Sequence, residues 1–429
     1  MKKLLALMLA LVMVFALAAP SASAADEVAI TLWTYPVGQW GTQEVVDGLI
    51  AGFEAANPGI KVEVQYLAYA DGDDKVNTAL EGGNAPDLIM EGPERLVANW
   101  GAKGYMVDIA GLWDDADKEE VLPVVLAACF NKEGASYEYP LCMTAHCMAV
   151  NLNRFQAVGA DQYLDLDTHT WTTEGFINAV NALKAAGYDN VAAVFCGGQG
   201  GDQGTRALIN NLYSGTFTDA DHTKYTADSE ENIKALELLA GLEGVNFDPA
   251  IVGGDEINLF RQGILDMAFC WNIGAQLNTD NNDAGLTNDG DEIVCMAFPS
   301  DDGVPELCGG IWGFGIFDNG SEAKIEAAKT FIKYFADGEG TPDAIKASGF
   351  SPARSMAEGQ DLTQLFADDP ITTEYMKLLP MGGDYYQVVP GWAEARTAWW
   401  NMLQQVGAGA DVTEAVTAFC AAANAAAGA

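Results

Sequence analysis

Hydrophobic positions in the first ninety or so residues alternate between the spacing of strands and the spacing of helices. The short apolar run 30–33 predicts a strand, and the apolar positions of 45–53 recur at helical spacing. Apolar and polar residues then alternate over 60–66, which predicts a half-buried strand. A helix around 76–80 and a buried strand at 88–90 follow. Strand and helix in alternation indicate an α/β layer with a largely parallel sheet.

The same alternation returns in the second part of the chain. Thr172 is a predicted N-cap of a helix that carries Phe176, and 191–196 follows as a predicted strand. Ser321 is a predicted cap of another helix, and about the last ninety residues read as mostly helical. We therefore expect an α/β fold with two units of this kind.

The N-terminal residues 1–24 have the pattern of a secretory signal peptide. Lys2 and Lys3 precede the apolar run 4–19, and small residues lead up to Ala24, after which we expect cleavage. We found no lipobox cysteine near this site, so we expect a periplasmic, extracellular or cell-surface protein.

Charge excludes one class of partner. The chain has 61 acidic and 21 basic residues and a formal charge of -40. Such a surface repels the phosphate backbone, so we expect no nucleic-acid partner.

All eight cysteines follow the predicted cleavage site. An even number of cysteines in an exported chain permits disulfides. The apolar runs around Cys196 and Cys270 are equally compatible with buried free thiols. No Cys-x-x-Cys motif indicates a zinc or redox centre.

Short segments along nearly the whole chain occur in the order found in one known family. They are 53–62 with Asn57-Pro58-Gly59, 83–88 with Ala85-Pro86-Asp87, 139–141, 150–155, 171–174, 260–268 with Phe260, Gly263 and Met267, 326–332, and Ser351-Pro352-Ala353-Arg354. Together they resemble the family 1 extracellular solute-binding proteins, the maltose-binding-protein-like receptors of ABC importers.

The resemblance implies two α/β lobes with the ligand between them. The expected ligand is a carbohydrate, in particular an oligosaccharide, and the expected partner is an ABC permease. We expect a monomer that needs no cofactor and catalyses no reaction. The implied boundaries are 25–141 plus 308–350 for lobe 1, 147–303 plus 354–429 for lobe 2, and hinge crossovers at 141–147, 303–308 and 350–354.

Sugars present hydroxyl groups at their edges and C–H patches on their faces, so a sugar site needs flat aromatic rings and a polar rim. We expect such residues where loops follow strands of an open sheet. The candidates are Tyr35, Gln39, Tyr69, Asp71, Glu91, Thr144, His146, Gln199, Trp271, Asn272, Trp312, Tyr386 and Trp392. Trp271 and Trp392 are the expected stacking platforms, whereas Trp33, Trp113, Trp399 and Trp400 are expected to pack in the interior.

Two motifs that suggest other ligands are incomplete. The glycine-rich segment 197–204 lacks the Lys-Ser/Thr of a phosphate loop. The acidic segment from Asp280 to Asp291 departs from the EF-hand pattern at two ligand positions, so we expect no metal site.

Two alternatives stay open. The same fold could bind another polar solute such as a glycerophosphodiester, with Lys103, Arg206 and Arg354 as candidate cations. The chain could instead be a secreted glycosidase or a carbohydrate adhesin. Hydrolase motifs such as His-Glu-x-x-His and Gly-x-Ser-x-Gly are missing, but paired carboxylates are available among the acidic residues.

Overall fold

The computed structural model describes most of the chain after the predicted signal peptide, which itself lies outside the described residues. The described residues are 27–69, 71–197, 202–279, 283–383, 389 and 391–428. The strands are β1 Val28–Thr34, β2 Ile60–Tyr66, β3 Leu88–Glu91, β4 Tyr139–Ala145, β5 Cys147–Asn151, β6 Ala192–Ala193, β7 Val245–Asn246, β8 Met267–Trp271, β9 Ile293–Met296, β10 Gly309–Ile316, β11 Ser351–Pro352, β12 Met356–Ala357 and β13 Gln360–Asp361.

Helices cover both the first and the second part of the chain, and short 3-10 and π turns connect some of them. The α-helices are α1 Gln43–Ala56, α2 Gly72–Glu81, α3 Pro93–Arg95, α4 Asp115–Glu120, α5 Pro123–Ala128, α6 Leu152–Val158, α7 Thr173–Ala185, α8 Asp202–Tyr213, α9 Glu230–Gly241, α10 Gly253–Arg261, α11 Ile273–Leu277, α12 Glu322–Ala336, α13 Thr341–Ser348, α14 Pro370–Met376, α15 Trp392–Gly407 and α16 Val412–Ala427.

The first lobe is built on a mixed six-stranded sheet in the order β11-β4-β10-β3-β1-β2. β1 runs parallel to β2 and β3, while β10 is antiparallel to β3 and β4. Buried residues of α1 and α12, such as Phe53 and Phe331, pack together with ring centroids 5.2 Å apart. The strand directions place the carboxyl ends of β1 and β3 and the start of β10 at the same end of the sheet.

The second lobe is built on an antiparallel sheet in the order β8-β5-β9, beside the short parallel pair β6–β7. The run 191–196, a predicted strand, is fully buried, but only Ala192 and Ala193 are assigned as strand. Thr172 accepts a hydrogen bond from the backbone N–H of Gly175, as expected of an N-cap. Ser321 occupies the N-cap position of α12 without a side-chain capping bond.

One connection between the two sheets is a single residue. His146 separates β4 of the six-stranded sheet from β5 of the three-stranded sheet. Its backbone N–H donates to the carbonyl oxygen of Cys308 at 2.6 Å, which joins it to the segment between β9 and β10. Tyr375 of α14 braces this junction, since its hydroxyl group accepts from Ala145 N–H at 2.8 Å and lies 2.9 Å from the hydroxyl of Thr144.

The segment 350–354, expected to form the third crossover, remains associated with the first lobe. Ser351 and Pro352 pair with β4. Arg354 is buried and forms ion pairs with carboxylates of the first lobe. This segment is therefore packed with the six-stranded sheet as far as Arg354.

All eight cysteines are buried and free in the structure. Among the described helices, none combines the length and the apolar composition needed to cross a bilayer.

Candidate functional site

A cleft of about 260 Å³ lies at the sheet edge where the two lobes meet. Its first-lobe lining comes from residues at or just beyond the carboxyl ends of β1, β3 and β4 and from the start of β10. Loops at such an edge are the usual binding positions of open α/β sheets. Seven predicted site residues line the cleft, namely Tyr35, Tyr69, Glu91, Thr144, His146, Asn272 and Trp312.

Three aromatic rings form one wall of the cleft. Tyr35 and Tyr69 stack with ring centroids 5.4 Å apart and an angle of 14° between the rings. Trp312 follows at 6.1 Å from Tyr69. Gly72 makes this packing possible, because a Cβ atom there would collide with the ring of Tyr35. We call Tyr35, Tyr69 and Trp312 the aromatic wall.

A charged cluster lies beside the aromatic wall. The guanidinium group of Arg95 binds the carboxylate of Asp73 at 2.8 Å and that of Glu91 at 3.2 Å. The hydroxyl group of Tyr35 donates to Asp73 at 2.9 Å. The side chains are therefore held in place before any ligand arrives.

Burial gives the carboxyl groups of this cluster different proton affinities. Burial raises the pKa of Glu91 to about 7, although Arg95 opposes the shift. Burial also raises the pKa of Glu94, which is 5% exposed and lines the same cleft. Burial acts in the same direction on Asp73, but the charge and hydrogen bonds of Arg95 hold its pKa below the usual value. The cleft thus offers hydrogen-bond donors and acceptors at neutral pH.

The second lobe and the crossovers supply the opposite side. Asn272 follows β8, and its side-chain oxygen caps α11 by accepting from Ala275 N–H at 3.0 Å. Arg396 reaches the cleft from α15, His146 lies between β4 and β5, and Phe350 lies just before β11 of the six-stranded sheet. A ligand in this cleft would contact both lobes.

Comparison with known proteins assigns the family. The profile described as bacterial extracellular solute-binding protein matches residues 39–341, well over half of the chain. The chain belongs to this family. Family members work with ABC permeases, and their extracellular location implies export. A search of curated protein sequences found no match.

Solved structures of solute-binding proteins share the fold. An ABC substrate-binding protein from Listeria monocytogenes in complex with cycloalternan has 20% identity and a TM-score of 0.72, over 94% of this chain and 100% of that one. A protein from Thermotoga lettingae bound with alpha-D-tagatose has 20% identity and a TM-score of 0.71, over 93% and 99%. A protein from Agrobacterium radiobacter in complex with ribitol has 23% identity and a TM-score of 0.70, over 93% and 99%.

Two candidate residues of this solute-binding protein are described but do not line the cleft. Gln39 is exposed on a 3-10 turn. Asp71 is exposed before α2 and forms an ion pair with Lys75 at 3.1 Å. Both are close in sequence to a cleft residue, but their side chains point to solvent.

The two expected platform tryptophans lie elsewhere as well, so their predicted placement in the cleft is corrected. Trp271 is fully buried; its indole N–H donates to Gln276 at 2.7 Å, and its ring packs edge-on against Phe260. Trp392 is 7% exposed and carries the guanidinium group of Arg206 over its ring at 4.3 Å. Both tryptophans are packing residues of the second lobe.

The remaining candidates, Gln199 and Tyr386, lie outside the described residues. Of the tryptophans expected to pack, Trp113 and Trp399 are buried, and Trp33 and Trp400 are partly buried.

Sequence reasoning missed seven residues that line the cleft, namely Gly92, Glu94, Arg95, Gly310, Ile311, Phe350 and Arg396. The position of Glu94 and Arg95 just after the buried strand β3 is one signal that could have found these two, because open α/β sheets bind ligands beyond the carboxyl ends of their strands. Nothing comparable in the sequence indicates Arg396, which reaches the cleft only because α15 packs beside it.

Proposed function

We propose that this chain captures a carbohydrate between its two lobes and delivers it to an ABC permease. The observation that carries the proposal is the aromatic wall facing a cluster of fixed carboxylates and guanidinium groups in one cleft. The flat faces of the rings suit the C–H patches of a sugar, and the charged groups suit its hydroxyls.

Contact with both lobes gives the ligand a means to drive closure. Glu91 and the aromatic wall belong to the first lobe, and Asn272 and Arg396 belong to the second. A ligand that reaches both sides gains contacts only when the lobes approach, and such differential affinity shifts the equilibrium to the closed state. We propose that the predicted hinges act at His146 and in the segment before β10, with the third crossover beyond Arg354.

The relatives support a carbohydrate in general without indicating which one. Those with solved structures carry cycloalternan, tagatose and ribitol, and others carry maltose or maltotriose. These ligands range from polyols to cyclic oligosaccharides, and all are rich in hydroxyl groups. We keep an oligosaccharide as the proposed ligand.

The alternative of a phosphodiester ligand fits the cleft less well. The cations that we considered for it do not line the cleft: Lys103 is exposed, Arg206 lies over Trp392, and Arg354 binds carboxylates of the first lobe. Arg95 and Arg396 do line the cleft, and Asp73 and Glu91 already bind Arg95. A phosphate group would have to compete with these carboxylates.

A binding role without catalysis is also part of the proposal. The family and its structural relatives are binding proteins. Prolonged incubation with a bound sugar, followed by chromatography, should return the sugar unchanged; stoichiometric cleavage products would instead favour the glycosidase alternative. Light scattering after gel filtration should give the mass of a monomer.

A thermal-shift screen tests the ligand class directly. The panel should contain monosaccharides, linear and cyclic oligosaccharides, ribitol and glycerophosphocholine. A ligand at 100 times its Kd stabilises the folded state by about 2.7 kcal/mol, which is readily detected. A shift with glycerophosphocholine and with no sugar would overturn the proposal.

A further inference from the structure

A groove of about 760 Å³ lies in the second lobe, away from the residues of the ligand cleft. Its walls are the edge strand β9, the helix α14 and loops around Leu166 and Leu286. Cys295 of β9 lines this groove and is 7% exposed. Among the residues that line this groove it is the one with a thiol, so the groove is the route by which a small molecule would approach it.

A second thiol, that of Cys147, lies diagonally across from Cys295 in the sheet. The register of β5 and β9 pairs Ala149 with Cys295. Cys147 is two residues before Ala149, so its side chain points to the same face of the sheet as that of Cys295. The two thiols are close enough for Cys295 to raise the pKa of Cys147, and Cys147 is fully buried.

We propose that Cys147 and Cys295 are an oxidation site in which a disulfide forms by exchange with a small disulfide compound such as oxidised glutathione. The Cys295 thiolate attacks one sulfur of the reagent, forming a mixed disulfide and releasing one thiolate. The Cys147 sulfur then attacks Cys295, giving up its proton and releasing the second half of the reagent as a thiol. Two protein thiols are thereby oxidised and one disulfide reagent is reduced to two thiols.

The order of these steps follows from the surroundings of the two cysteines. Burial raises the pKa of the Cys147 thiol well above its usual value, and the neighbouring thiols of Cys295 and Cys308 add to the shift. Cys147 has no exposed surface at which a reagent could arrive. Cys295 is the thiol that meets the reagent, and Cys147 resolves the mixed disulfide.

The proposed bond would act on the crossover between the lobes. Diagonal neighbours across antiparallel strands have Cα atoms about 7–8 Å apart, whereas a disulfide needs at most about 7 Å. Forming the bond therefore draws Cys147 toward β9. Cys147 directly follows His146, the single-residue crossover, and the ladder with β8 is irregular between Cys147 and Ala149. Oxidation would shift the segment about which the lobes move.

Time-resolved mass spectrometry of the wild-type protein tests the proposal. The reduced chain is incubated with oxidised glutathione, quenched with acid and digested without reduction. We expect a glutathione adduct at Cys295 first and then a peptide pair linked through Cys147 and Cys295. The absence of an adduct at Cys295, an adduct that never resolves, or a link from Cys295 to Cys308 would overturn it.

Cysteine variants test the order of the two exchange steps. Cys147→Ser should trap the glutathione adduct at Cys295, and Cys295→Ser should give neither adduct nor link. Cys420→Ser, which removes a buried thiol in α16, is the matched control and should behave as the wild type. A linked Cys147–Cys295 peptide that does not depend on prior labelling of Cys295 would contradict the proposed order. None of these outcomes depends on which solute the cleft binds.

Discussion

Replacing Trp312 with alanine removes one ring of the aromatic wall and is the most direct test of the proposed binding mode. Trp312 is only partly buried, since one side packs near Tyr69 and the other faces the cleft. A sugar face covering about 50 Å² of the indole gains roughly 1.3 kcal/mol from burial at about 25 cal/mol per Å². The aromatic contact adds about 0.5–1.5 kcal/mol.

The sum of about 2 kcal/mol corresponds to a roughly 30-fold increase in Kd. Isothermal titration with the sugar that gives the largest thermal shift measures this change. Trp312→Phe keeps a flat ring and should lose clearly less affinity than Trp312→Ala.

Trp271→Ala is the matched control, because it deletes the same side chain from the core of the second lobe. We expect a loss of about 3–5 kcal/mol in the free energy of unfolding, since a buried indole and its hydrogen bond to Gln276 disappear. Denaturant melts of both variants separate binding from stability. A folded Trp312→Ala protein that binds sugar as tightly as the wild type would refute the reasoning.

Three further predictions concern stability. Burial raises the pKa of Glu256 to about 7, so between about pH 4.5 and 7 the folded state binds more protons than the unfolded state. The free energy of unfolding should therefore fall as the pH rises through this range. Glu256→Gln should reduce this fall in denaturant melts. Arg354→Met leaves three carboxylates without their buried cation and should lower the free energy of unfolding by about 3–5 kcal/mol in the same assay. The control Lys329→Met breaks an exposed ion pair and should lower it by less than about 1 kcal/mol. Gly309→Ala should lower the melting temperature, because a Cβ atom would overlap the backbone of β4, whereas Gly111→Ala, which has open space, should leave it nearly unchanged.

The layers of the fold could be predicted because periodicity is a local property. Alternation over 60–66 predicts the half-buried strand β2, and the apolar stripe of 45–53 predicts α1; both are present. The apolar run 191–196 shows where this fails. It is fully buried, yet only two of its residues pair as a strand, because burial of an apolar run does not specify its backbone pairing.

The candidate site could be predicted only in part, because the direction of a side chain depends on strand pairing. Trp271 and Asn272 are adjacent at the end of β8, and both were candidates. Neighbouring residues in extended backbone point to opposite sides, so the two could not both face the cleft. Asn272 lines it, and Trp271 packs in the core. The sequence alone does not indicate which of the two points inward.

The aromatic wall is carried entirely by the first lobe, and this has a kinetic consequence. A sugar arriving at the open receptor can stack on Tyr69 and Trp312, with Tyr35 packed behind Tyr69, before the second lobe has moved. The association rate should then depend mainly on the first lobe. The residence time should depend on Asn272 and Arg396, which complete the enclosure only after the lobes approach. The association rate and the residence time thus depend on different lobes, and mutations can change one without the other.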